Sequence, residues 1–241
     1  MPLRPYNATA HCAACGSHYD GCRDAIHGEE ADMIRYLKRV FHNKIMFDFH
    51  THNPDAIDAM INAEPGFIPR QGAIYSVGIH PWNCANVTDM ELRRLDADAR
   101  LDCVKAIGET GLDKLRGATI ERQTELLIHH IALSEELHKP LVLHIVRAFP
   151  EIIALKHRFK PTQPWVIHGF RGKPQQAAEL LRHGFYFSLG KHFNQESAKI
   201  IPSERLLAET DDSDMDITEI AAMLPTLDPA LPSKILSLKI S

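Results

Sequence analysis

The chain has 241 residues, 44% of them hydrophobic and 24% charged, with a formal net charge of −4, which suits one large domain able to bury its own core. The negative balance excludes a global basic field, so a polyanionic substrate would need local cations or bound metal. Five cysteines, an odd count without a recognisable secretory leader, argue against a disulfide framework, and no apolar run reaches the roughly 18 residues of a membrane span, so a cytoplasmic location and no membrane partner are expected.

Residues 1–44 differ in pattern from the rest. Small, polar and turn-forming residues dominate until Ala31–Phe41, a short amphipathic helix candidate. His11-Cys12-x-x-Cys15-x-x-His18-x-x-x-Cys22 offers zinc-type ligands at tight spacing, but ordinary polar chain is the simpler reading. The segment is expected to be a poorly ordered extension ahead of a natural start at Met46, with 45–241 forming the functional domain.

From there short β-type runs alternate with helical stretches, the pattern of βα units on a parallel sheet. Strands are expected at Ile45–His50, Ala59–Ala63, Ile74–His80, Asp102–Gly108, Pro140–Ile145, Trp165–His168, Phe185–Leu189 and Arg205–Thr210. Val142-Leu143 and Val166-Ile167 make two of them nearly continuous apolar runs, as strands buried on both faces require. Helical spacing is clearest over Thr119–Leu137, and again from Lys173-Pro174 through Leu181 to a stop at Gly184. Eight strands with helices between them favour a TIM-like (β/α) barrel of seven or eight parallel strands over an open sheet.

The strand ends carry the chemistry. They read Asp48-Phe49-His50-Thr51-His52, Gly78-Ile79-His80-Pro81, Ile107-Gly108-Glu109-Thr110-Gly111-Leu112-Asp113, His144, His168-Gly169-Phe170 and Glu209-Thr210-Asp211. In a (β/α) barrel these ends converge on one mouth. His50 and His52, two apart on a strand, point to the same face and can offer two imidazoles to one cation. Any one histidine at a strand end is more often a core or capping residue. Five strand ends supplying His, Glu or Asp together point instead to a site for divalent cations with N/O ligands and no thiolate, such as Mg, Mn or Zn. Asp211 could take the proton of an attacking water. Lys114, Arg116, Arg147, Arg171, Lys173 and Lys191 follow strands four to seven, where each is either a phosphate contact or a solvated loop charge. Trp82 and Phe170 are candidates for stacking on bases or for packing a loop on the rim. Cys84 and Cys103 read as ordinary buried or loop thiols.

Together the motifs from Asp48 to Asp211, about two thirds of the chain, resemble the TatD family of metal-dependent deoxyribonucleases within the amidohydrolase-like barrels. The resemblance implies two metals, one held by His50, His52 and Asp211 and the other by His144 and His168, with Glu109 bridging. It also makes His80 a substrate contact, while Arg147 and Phe170 are expected as further substrate contacts, and Glu109 and Asp211 as catalytic, from their places at the strand ends. The resemblance also implies DNA as partner, single-stranded or at 3′ ends, with 3′-to-5′ exonuclease action; a monomer is expected. Barrel relatives that bridge their metals with a carboxylated lysine are disfavoured by Glu109 at that strand end.

The chain departs from the family's pattern in several places. The stretch from His52 to Ile74 leaves little room for a first helix. The arginine expected two residues after the fifth-strand histidine stands three after it, as Arg147. The loop Asp212-Ser213-Asp214-Met215-Asp216 lacks the usual prolines. Only thirty residues follow Asp211, and Pro225, Pro229 and Pro232 interrupt helical continuity there, so the closing helix is expected to be absent or replaced by irregular chain, exposing apolar barrel surface. Two alternatives therefore accompany the nuclease reading: a metal-dependent hydrolase of a small phosphoester, amide or ester, and a non-catalytic diverged barrel.

Overall fold

The computed structural model describes residues 46–238. The expectations for residues 1–44, including the Ala31–Phe41 helix and the cysteine–histidine motif, lie outside the described residues, as does Ile45.

Eight parallel strands stand side by side in sequence order: β1 (Asp48–Thr51), β2 (Ala59–Ala63), β3 (Ile74–Val77), β4 (Val104–Asp113), β5 (Leu141–Val146), β6 (Trp165–Ile167), β7 (Tyr186–Leu189) and β8 (Leu206–Ala208). A parallel bridge between Thr51 and Asp211 joins the last strand end to the first. There His52 N–H donates to Asp211 O and Asp211 N–H to His50 O, at 3.0 and 2.9 Å. The expected (β/α) barrel is present, with all eight strands.

The helices follow their local signals. Helix α1 (Asp89–Asp98) begins with a capping box between Thr88 and Glu91, which satisfies two of the first turn's free N–H groups. Thr119 caps α2 (Ile120–Leu137), which ends at His138 in the left-handed conformation. Pro150 and Pro174 sit in the first turns of α3 (Phe149–Phe159) and α4 (Pro174–Arg182), where the missing N–H costs nothing. Asn194 caps α5 (Gln195–Ile200), and Asp216 with Glu219 boxes α6 (Ile217–Met223). As the shortened sequence between His52 and Ile74 implies, no helix separates β1, β2 and β3. Ile57 and Ile68 are exposed there.

The core has two parts. One lies between strands and helices, for example Leu95, Leu127, Ile131, Leu141, Leu155 and Leu180. The other gathers Phe49, Met60, Ala106, Val142, Val166 and Leu207 from six different strands, which side chains can do only inside the barrel. Short α7 (Leu231–Ile235) adds Leu231, Ile235 and Leu236 to this inner cluster. The expected exposure of the barrel at its C-terminal closure is therefore corrected. The helix that Pro232 begins is only five residues long, but it covers the apolar interior with three buried side chains.

Strand side chains alternate, so the inner cluster predicts what stands above it. Two residues beyond Met60, Val142, Val166 and Leu207 come Asn62, His144, His168 and Glu209. An apolar layer thus passes directly into a polar one at the barrel mouth.

Candidate metal centre

Glu109 is the hub of this layer. Strand β4 runs five residues past its expected end at Gly108, and its register against β5 slips between Ile107 and Thr110. Such a slip re-aims a side chain. At Gly111, with φ +151°, a Cβ would stand 2.0 Å from the carbonyl oxygen of His144, so β4 approaches β5 this closely only with glycine there. Asn62 holds Glu109 from the side: its Oδ1 accepts the Glu109 N–H at 3.0 Å, and its Nδ2 donates to Oε2 at 3.4 Å. Ser76 donates to the same Oδ1 at 3.3 Å.

The two carboxylate oxygens of Glu109 face different partners. Oε2 is 3.4 Å from His50 Nε2 and 3.5 Å from His52 Nε2. Oε1 is 2.8 Å from His168 Nε2, 2.9 Å from His144 Nδ1 and 3.0 Å from His80 Nε2. Asp211 joins the first side, its Oδ1 lying 3.4 Å from His52 Nε2 and 3.9 Å from His50 Nε2. All six expected ligand residues therefore meet in one place. Burial by itself would raise the Glu109 carboxyl, but the charge on His168 and the imidazoles of His144, His168 and His50 around it hold it well below the usual range. Burial opposes protonation of His168, yet Glu109 beside it holds that imidazole well above its ordinary value. The bond to Glu109 likewise raises His52.

His50 tests whether a cation fits. It is 0% exposed, and neither ring nitrogen has a hydrogen-bond partner among the described residues. An unpaired imidazole buried among carboxylates is costly unless something electron-poor accepts its lone pair. His50, His52 and Glu109 offer donor atoms within 4.8 Å of one another, as do His50, His168 and Asp211, and His80, Glu109 and His144. The donor set suits a hard or borderline divalent ion. In the last group His80 reads differently. Its Nδ1 accepts the N–H of Trp82 at 3.1 Å, so a neutral ring carries its proton on Nε2 and presents a donor.

Further carboxylates stand behind the histidines. Glu209 Oε1 accepts the Gly169 N–H at 2.5 Å and lies 3.5 Å from His168 Nδ1. Asp113 Oδ2 lies 3.5 Å from His144 Nε2 and accepts the Trp82 indole N–H at 2.6 Å. Each can take the outward ring proton of its histidine and leave the inward nitrogen free. Asp48 accepts the N–H and hydroxyl of Thr210 at 2.9 and 2.5 Å, tying β1 to the loop that carries Asp211. Burial pushes its carboxyl up to about 7.

Two expected substrate contacts fare differently. Phe170 is 2% exposed and packs against Phe187 and Phe149 at 4.9 and 6.1 Å between ring centroids. The stacking role is corrected: a ring enclosed by two others has no face left for a base. Arg147 is exposed with φ +55°, and no hydrogen bond or ion pair ties it to the cluster among the described residues. Asp211 lines a cavity of about 220 Å³ together with Arg171, Lys191, His192 and Phe193.

Residues 68–226 match the family model described as TatD related DNase. The chain belongs to this family. Among TatD-type relatives, the uncharacterized metal-dependent hydrolase YcfH of Escherichia coli (strain K12) is 38% identical over 152 residues, covering 59% of this chain and 56% of the relative. The 3′-5′ ssDNA/RNA exonuclease TatD of Cronobacter sakazakii is 32% identical over 151 residues, covering 58% of this chain and 57% of its own. The chain thus spans little more than half the length of these curated relatives. The solved structure of the TatD homolog YjjV from Escherichia coli k12 superposes with a TM-score of 0.60 over 79% of this chain and 88% of that one, at 22% identity, a likeness of fold.

Asn62 is the functional-site residue that motif reading passed over. A signal for it existed, since Asn62 stands two residues beyond an inward Met60 in an otherwise apolar strand. His130, on α2, is fully buried and accepts at 3.0 Å the N–H of Ile79, the residue before His80. Among the described residues no helix is long and apolar enough to cross a membrane.

Proposed function

We propose that this chain hydrolyses phosphodiester bonds in DNA, removing nucleotides from single-stranded 3′ ends with two divalent cations. The observation that carries this reading is the division of Glu109, one oxygen toward His50 and His52 and the other toward His144 and His168. His50, His52 and Asp211 would hold one cation, His144 and His168 the other, with Glu109 between them. When bound, such a pair lowers the pKa of a water and offsets charge on the phosphate oxygens. The relative named as a 3′-5′ ssDNA/RNA exonuclease supports the choice of substrate and polarity.

The chain's own groups have the following parts. Asp211 accepts a proton from the attacking water. His80 donates its Nε2–H to a non-bridging oxygen of the scissile phosphate, a role consistent with the backbone bond at its Nδ1. The water oxygen bonds to phosphorus, the P–O3′ bond breaks, and the released 3′ oxygen takes up a proton. Arg147, Arg171 and Lys191 are the proposed contacts for flanking phosphates.

The test is elemental analysis of the purified chain together with cleavage assays. Single-stranded DNA labelled at either end is compared with nucleotides and generic esters, each with added Mg²⁺, Mn²⁺ or Zn²⁺. Loss of mononucleotides from the 3′ end is expected. Turnover of small esters with none on DNA would replace this reading by the small-substrate hydrolase, and no turnover of any substrate by the non-catalytic barrel.

A further inference from the structure

Trp82 is the exposed aromatic at this mouth. It follows His80 and Pro81 in a short 3-10 helix, Pro81–Asn86, and it is 44% exposed. A single exposed apolar side chain is ordinary on a protein surface, so what distinguishes Trp82 is its position beside His80 and the way it is fixed. The ring is held still. Its N–H donates to Asp113 Oδ2 at 2.6 Å, and its centroid lies 4.7 Å from that of His80 and 5.7 Å from that of His144.

The loop after β4 completes the arrangement. Asp113 Oδ1 accepts the backbone N–H of Leu115 at 2.7 Å and of Arg116 at 3.2 Å. At Gly117, with φ +88°, a Cβ would stand 2.3 Å from the carbonyl oxygen of Pro81 and 3.0 Å from the Trp82 Cα. Only glycine lets this loop approach the Trp82 turn so closely. The approach carries the Arg116 guanidinium to 4.7 Å from the Trp82 ring centroid. Arg116 is exposed and pairs with no carboxylate among the described residues, so its charge stays available for a phosphate.

We infer that Trp82 and Arg116 form a binding step for single-stranded nucleic acid, Trp82 stacking on an unpaired base next to the scissile phosphate and Arg116 contacting the adjoining phosphate. The half-exposed indole, fixed through its N–H, is the flat apolar surface that an unpaired base needs. Stacking on an indole tolerates any base, and a paired base cannot reach it, so this step favours single strands without reading their sequence. With a net charge of −4, holding a polyanion falls to bound metal and to local contacts such as this one. The inference rests on the nuclease reading of the adjacent site and adds the contact that selects the strand.

The experiment uses the two tryptophans of the full chain. Trp165 is fully buried, so quenching by an oligonucleotide reports Trp82. The chain is titrated with a phosphorothioate-linked oligothymidylate and with an abasic strand of equal length. Saturable quenching by the first and none by the second is expected. By anisotropy of a labelled strand, W82A should bind the oligothymidylate about 10- to 100-fold more weakly, as loss of one stacked base implies. W82F, which keeps a ring but loses the bond to Asp113, should remain within about threefold of the parent. Equal quenching by both strands, no quenching by either, W82A binding like the parent, or W82F as weak as W82A would each overturn the inference. Turnover enters neither readout. Base-dependent quenching without cleavage under any metal removes the nuclease reading alone, whereas cleavage without base-dependent quenching removes the stacking step alone.

Discussion

His130 makes acid stability a quantitative test of the fold around the site. Its imidazole lies wholly inside the protein on α2, with Nδ1 2.6 Å from the Leu126 carbonyl oxygen and Nε2 accepting the Ile79 N–H. The Ile79 contact needs the neutral ring, because a protonated Nε2 cannot accept. Burial lowers its pKa from 6.5 to about 4, against a smaller opposing effect of the Leu126 bond, with His129 and Asp96 the charged groups nearby. Because the folded value is depressed, the unfolded chain binds more protons between the two values. Stability from this group is complete above pH 6.5 and is lost as pH falls toward 4. From pH 7 to pH 4.5 the loss is on the order of 2–3 kcal/mol. His130→Gln keeps an acceptor for Ile79 and removes the titration. Urea unfolding of both proteins in EDTA, at pH 7 and pH 4.5, should show the variant losing less than the parent by an amount on the order of 2–3 kcal/mol. Equal losses would mean that the buried ring is not held neutral, and the reasoning would fail.

Three further outcomes follow from the metal centre. Asp211→Asn should lower kcat on single-stranded DNA by about 100- to 10,000-fold while the thermal midpoint stays close to the parent's; undiminished turnover would exclude Asp211 as the base. Asn62→Ala frees both the backbone and the carboxylate of Glu109 and should weaken divalent-metal binding by about 10- to 100-fold in calorimetry, and equal affinity would show that Asn62 is a bystander. Stripping metal with a chelator should abolish cleavage and lower stability by about 2.7 kcal/mol relative to protein at a hundredfold excess of metal over Kd; an unshifted melting curve would contradict a cation at the unpaired His50.

Much of the site was legible in the residues themselves. His50 and His52 share a face because two residues is the repeat of a strand, and the strands ending in His144 and His168 were visible as apolar runs. The expected strand ends differ from the observed ones mostly by a residue or a few, with the largest difference in β4. There the glycines of Gly108-Glu109-Thr110-Gly111 suggest a break, whereas the chain stays extended to Asp113 because β5 pairs with it again from Thr110 onward, beyond the slip. Phe170 was misread for a related reason. Its neighbours in sequence are small or charged, while the rings that enclose it come from residues 149 and 187.

By itself, the order of residues determined the alternation of strands and helices, the ligand types and the side of the barrel on which they gather, since these depend on local periodicity and on which end of a parallel strand a residue occupies. Tertiary structure alone decided how Glu109 divides its two oxygens, why Asn62 stands beside it, which aromatic ring is presented to solvent and how α7 covers the interior. Those outcomes are set by contacts between segments tens of residues apart, where a slip of one position in register turns a side chain to a different neighbour.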